Sequence, residues 1–125
     1  MSICALRGAV TVQENTRDSI LEAAREMLVD LINKNDIRQE KVVSAWFSAT
    51  PDLDAAPPAA AARELGWTKA GLLCVQEMPV EGSLKMCVRV LMLWETNKAQ
   101  SDMQHSYLRG AVVLRPDLVS GSGEK

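Results

Sequence analysis

The chain has 125 residues, 47% hydrophobic and 24% charged, with a formal net charge of −2. That length can bury one modest core but not two, and the composition lies far from that of disordered chains. The mild acidity leaves no electrostatic footprint for nucleic acid, residues 1–20 contain no signal-peptide core, and no apolar run approaches the ~20 residues of a membrane helix. Cys4, Cys74 and Cys87 are odd in number and lack CxxC spacing, and His105 is the single histidine. This pattern predicts a reduced, cytoplasmic protein with no metal site, rather than a disulfide framework.

In chain order, Ile3 to Val12 reads as a strand interrupted by Gly8. Thr16 is placed to cap a helix, with Asp18 in its first turn. Ile20, Ala24, Met27, Leu28 and Leu31 then recur at helical spacing, and the helix is expected to end near Asn33–Asn35. Val42 to Ala49 reads as a buried strand, and Thr50 to Asp54 as a loop. Pro57 and Pro58 open a short helix, Ala59 to Leu65, that Gly66 stops. Two apolar strands follow, Leu72–Met78 and Lys85–Trp94, separated by a turn. Ser101 to His105 suggests a helical turn, Ala111 to Leu114 an extended piece, and residues 119–125 a mobile tail after a single domain spanning 1–118. The tetrapeptide RGAV occurs at Arg7–Val10 and at Arg109–Val112; its dissimilar surroundings mark coincidence rather than duplication.

Each of the two late strands carries an ion where a sheet ordinarily carries apolar side chains: Glu77 in the first, Arg89 in the second. Alternation places Met86, Val88, Val90, Met92 and Trp94 on one face and Arg89, between Cys87 and Leu91, on the other. A half-buried guanidinium costs several kcal/mol unless paired, so an anion must meet it. Two partners are open: Glu77, across a hairpin, or a ligand in a pocket. Cys74 and Glu77 are three apart and so face opposite sides. One sheet cannot gather both easily, whereas a boundary between subunits can.

The stretches LRGAVTV (Leu6–Val12), SATPDL (Ser48–Leu53), AAAARELGW (Ala59–Trp67), CVQEMPVEGSLKMCVRVL (Cys74–Leu91) and YLRGAVVLRPDL (Tyr107–Leu118) resemble the AroH-type monofunctional chorismate mutases, in order and spacing. The resemblance implies an α+β fold, a mixed β-sheet with helices packed on one side, assembled as a homotrimeric pseudo-α/β-barrel with active sites between subunits. It implies rearrangement of chorismate to prephenate in phenylalanine and tyrosine biosynthesis, with no cofactor and no metal, and no nucleic-acid or membrane partner. As the ether C–O bond breaks ahead of C–C bond formation, charge gathers on the ether oxygen, and a fixed cation there favours the transition state over the ground state.

Carried over by position, Arg89 is the catalytic cation, Glu77 the acceptor for the ring hydroxyl, and Arg7 with Tyr107 the grip on a substrate carboxylate. Cys74 lies beside the hydroxyl, with Leu73, Val75 and Gln76 lining the pocket through their backbone. Arg63 and Ala59 belong to the entrance, Arg63 holding the second carboxylate, and Leu114 and Arg115 to a segment closing over the ligand. Each has a plainer structural reading: Cys74 as a small core residue, Arg63 as a solvated helix residue, and His105, given no role, as a surface residue. The chain departs from the family where an aromatic residue and a lysine are common, having Pro57 and Ala60, and is one residue shorter around Leu65–Gly66. The rival readings are a non-catalytic trimeric binding module for aromatic-pathway acids and a trimeric imine deaminase, whose motifs are not present.

Overall fold

The computed structural model describes residues 2–114; Arg115 and the tail expected over 119–125 lie outside them. The elements run β1 (Ser2–Thr11), α1 (Arg17–Asn35), β2 (Val42–Ala49), α2 (Ala59–Glu64), β3 (Gly71–Gln76), β4 (Cys87–Thr96) and β5 (Ser106–Leu108). Short 3-10 turns occupy Gln39–Lys41, Gln100–Asp102 and Arg109–Leu114. The five strands form one mixed sheet in the order β3-β2-β4-β1-β5. β4 is antiparallel to both neighbours, while β2–β3 and β1–β5 are parallel pairs.

Local chemistry accounts for the boundaries. The Thr16 hydroxyl accepts a hydrogen bond from the Ser19 N–H at 3.1 Å, satisfying one of the free donors of the first turn. At the other end Asp36 turns into the left-handed region, and its N–H bonds the carbonyl of Ile32. Pro58, itself helical, leads into α2, whose chain stops at Gly66 with φ +94°, a conformation that penalises a Cβ.

The core forms where α1 and α2 cover one face of the sheet. Ile20, Met27, Leu28 and Leu31 of α1 pack against Leu6, Val10, Phe47, Val88, Val90 and Met92, all buried. Gly8 sits under α1, where a Cβ would lie 3.1 Å from both Met27 Cγ and Val90 Cγ1. The gap in the side-chain row thus seats the helix close on β1. Alanines at 59, 61 and 62 play the same part under α2, all three being buried.

Three expectations are corrected. The two late strands are not a hairpin, and β3 ends at Gln76, so that Glu77 follows it. β2 lies between the two strands, because β3 returns from α2 to pair in parallel with β2, and a parallel pair requires such a crossover. Residues 111–114 are 3-10 helix rather than extended, since Arg109 adopts φ 56° and turns the chain directly after β5. β2 is buried on one face only, with Trp46 exposed on the other.

Candidate active site

Alternation along each strand gives the sheet a second face, opposite the helices, and cross-strand register aligns it in rows. One row reads Val75, Ser48, Arg89, Ala9, Tyr107 across all five strands. The next reads Leu73, Trp46, Leu91, Arg7. Arg89 therefore projects from the middle strand of five, at the centre of this open face. Arg7, Trp46, Ser48, Val75, Arg89 and Tyr107 contribute to one cleft there, of about 340 Å³.

At the edge of this cleft Arg89 Nε lies 3.8 Å from Glu77 Oε1, close enough for Coulomb attraction and too far for a hydrogen bond. The internal ion pair that alternation left open thus exists, but it is loose. Among the described residues Arg89 Nε is the single buried side-chain nitrogen or oxygen atom without a hydrogen-bond partner, although the side chain as a whole is 39% exposed. Native structures rarely leave such a donor unmatched, and a ligand is one of the usual reasons. Glu77 is better tethered. Its Oε1 accepts a 2.6 Å hydrogen bond from the Ser48 hydroxyl, and its N–H donates to the Ala49 carbonyl at 2.8 Å.

Arg7 is held through its own backbone, whose N–H donates to His105 Nδ1 at 2.9 Å, while Arg7 Nη2 lies 3.5 Å from Nε2 of the same ring. His105 is half-buried and spans the backbone and guanidinium of Arg7, a more specific place than that of a surface residue. Tyr107, buried, packs with Ala9, Cys87 and Ala111 on this face, with Leu84 and Leu114 alongside. Burial pushes the Cys87 thiol above its ordinary 9.0, against the opposing pull of the Arg89 cation.

The remaining expected site residues do not join this cleft. Cys74 pairs with Phe47 and so faces the helix side of β3. With Val75 and Gln76 it borders a second cleft of about 370 Å³, completed by Pro57, Pro58 and the loop after β2. Arg63 is exposed on α2, and the Ala59 side chain is sealed in the core at 1% exposure. Leu73 is 52% exposed on the open face. The chain thus carries two separate clefts, divided by the edge strand β3.

Ser48 and His105 were not found from sequence. Ser48 shares its face with Trp46, but its relation to Glu77 and Arg89 needs the strand order; His105 lies 98 positions from Arg7. Among the described residues no group of three His, Cys, Asp or Glu side chains could hold a metal, and no helix is long and apolar enough to cross a membrane.

A mixed α+β sheet that sets a buried, unmatched guanidinium nitrogen beside a tethered carboxylate can meet a compact anion there. Residues 3–118 match the family described as chorismate mutase type I. The chain is 46% identical over 119 residues to chorismate mutase AroH of Bacillus subtilis, covering 94% of each chain. It is 46% identical over 116 residues to chorismate mutase AroH of Thermus thermophilus, covering 92% of this chain and 95% of that one. The solved chorismate mutase from Clostridium thermocellum superimposes with a TM-score of 0.86 at 45% identity, over 87% of this chain and 97% of that one. The chain belongs to the chorismate mutase type I family.

Proposed function

We propose that Arg89 and Glu77 form the catalytic centre at which this isomerase rearranges chorismate to prephenate, a step of aromatic amino-acid biosynthesis. The reaction is intramolecular. The ether C–O bond breaks, a C–C bond forms between the enolpyruvyl arm and the ring, and no proton or group leaves. The protein's work is therefore to select the compact conformer and to stabilise charge on the departing ether oxygen. The unmatched Arg89 Nε carries this reading: a donor already stripped of water and held in the central strand loses little in reorganising as that charge develops.

Glu77, tied to β2, receives the ring hydroxyl, and Arg7 with Tyr107 holds a carboxylate of the side chain. Arg offers the planar fork for this and Tyr a phenol. Cys74, with the backbone of Leu73, Val75 and Gln76, and Arg63 with the Ala59 backbone at the entrance, complete the pocket from a neighbouring subunit. Leu114 and Arg115 close over it.

The assembly is a homotrimer with the open sheet faces turned inward. Two features support this. Ile3, Trp46, Leu73, Val75 and Leu91 are exposed together on that face, more apolar area than a solvated sheet ordinarily leaves open. The two clefts are divided by β3, so a neighbour's helix side can meet an open face. Residues 1–118 form the single catalytic domain. Three free cysteines agree with a cytoplasmic location.

Replacing Arg89 tests the centre. Arg89→Ala should lower kcat by about 10²–10³-fold or more, as loss of an oxyanion donor does, measured by the decay of chorismate absorbance. Arg89→Lys should recover only part, keeping the charge and losing the fork. Wild-type turnover in the alanine variant would remove Arg89 from the mechanism.

A further inference from the structure

Ser48 has no place in the reaction as set out above, yet it touches the one weak link of the site. Its hydroxyl donates to Glu77 Oε1 at 2.6 Å, and that same oxygen is the one 3.8 Å from Arg89 Nε. Ser48 is also the register partner of Arg89 across β2–β4 and of Val75 across β2–β3. It stands beside both members of the ion pair.

The arrangement has a cost that must be held in place. A carboxylate and a guanidinium attract, and a closure of about 1 Å would turn the loose pair into a charge-assisted hydrogen bond. Closure would match the buried Nε and use up its donor. Two ties restrain Glu77, both from β2: the short hydroxyl bond to Oε1, and the 2.8 Å bond from the Glu77 N–H to the Ala49 carbonyl. The backbone tie fixes where the glutamate starts. The hydroxyl tie fixes where its carboxylate ends.

We propose that Ser48 is a positioning residue whose hydroxyl holds Glu77 apart from Arg89, so that Arg89 Nε stays open to the ether oxygen. This rests on the reading of Arg89 given above. Without the hydroxyl, Glu77 closes on Nε, and substrate must displace a charged partner before the donor can act. The grip of Arg7 and Tyr107 on the substrate carboxylate is untouched, so the loss falls more on kcat than on KM.

The test is a double-mutant cycle on the purified enzyme, with kcat and KM measured separately. Ser48→Ala should lower kcat by about 10- to 100-fold, the range for a hydrogen bond to a charged group, and leave KM within about threefold. Ser48→Thr, which keeps a hydroxyl in a residue suited to a strand, should restore most of kcat. In a Glu77→Ala background no carboxylate is left to hold, so adding Ser48→Ala should change kcat by less than about twofold. Additive losses in the two variants would assign Ser48 a packing role and overturn the proposal. So would wild-type kcat in Ser48→Ala while Arg89→Ala is crippled. If Arg89→Ala itself turns over normally, the reading of the centre fails first, and the role of Ser48 with it. Should Ser48→Ala fold poorly, the threonine variant decides: a loss of kcat in Ser48→Thr as deep as in Arg89→Ala contradicts the hydroxyl's role.

Discussion

On β4, Val88, Val90, Met92 and Trp94 point toward the helices and are at most 4% exposed, whereas Arg89 and Leu91 point the other way. The difference between these faces is one of completion. The helix face finds its partners within the chain: α1 and α2 cover it, and each apolar group meets a neighbour. The open face does not, and retains apolar side chains in water together with a donor that nothing in the described residues matches. One period of two therefore writes two separate instructions, the first for folding and the second, in the proposed function, for assembly and chemistry.

Substitutions should separate the two instructions. The largest effect on the helix face is expected from Phe47→Ala, which empties a fully buried site and should cost about 3–5 kcal/mol of stability. Urea unfolding measures this, while the folded fraction should keep its turnover. A loss of kcat per folded molecule would mean that the faces are coupled. Arg89→Ala is the converse. Its rate penalty of about 10²–10³-fold corresponds to roughly 2.7–4 kcal/mol in the transition state. Its stability should change by less than about 1 kcal/mol, because the ion pair it removes is partly exposed and long. Strong destabilisation would make Arg89 a structural ion after all.

The apolar part of the open face comes next. Leu73, exposed on the edge strand, becomes buried in the proposed trimer, where a leucine is worth about 1.5–3 kcal/mol. Leu73→Asp removes that and adds a charge to desolvate. Sedimentation should then find monomers with an intact circular dichroism spectrum. An undisturbed trimer would place the interface elsewhere.

How much of this the sequence discloses depends on the range of the interaction. α1 was legible because its apolar spacing and the Thr16 cap are local. Arg89 stood out because parity along one strand needs no knowledge of the others. Strand order is different. A turn-rich segment between two apolar runs reads as a hairpin, and only the crossover through α2 explains why β2 takes the place between them. Val112 and Val113 have strand propensity, yet the left-handed turn at Arg109 commits them to 3-10 helix. Ser48, Glu77 and Arg89 meet through pairings of β2 with two strands distant in sequence, so no motif window contains them. Parity does place Cys74 and Glu77 on opposite sides, Cys74 toward the helices and Glu77 beside Ser48 and Arg89. The role of His105 was not: a lone histidine carries no local signal of what it supports.

The smallest effect concerns Cys87, two residues before Arg89 and buried on the same open face among Ala9, Tyr107 and Ala111. A cation so near would ordinarily favour a thiolate, but burial wins and raises the thiol's pKa above 9.0. The unfolded chain therefore releases this proton first as pH rises. The contribution to stability is whole below 9.0 and is lost as pH climbs through the folded-state value. Wild-type protein should accordingly lose stability above 9.0 more steeply than Cys87→Ala, in urea titrations at stepped pH. Parallel curves would mean that the thiol ionises as easily when folded. The point bears on catalysis, because a thiolate beside Arg89 would neutralise the charge on which the proposed chemistry depends. A thiol kept neutral by its surroundings leaves that charge to the ligand.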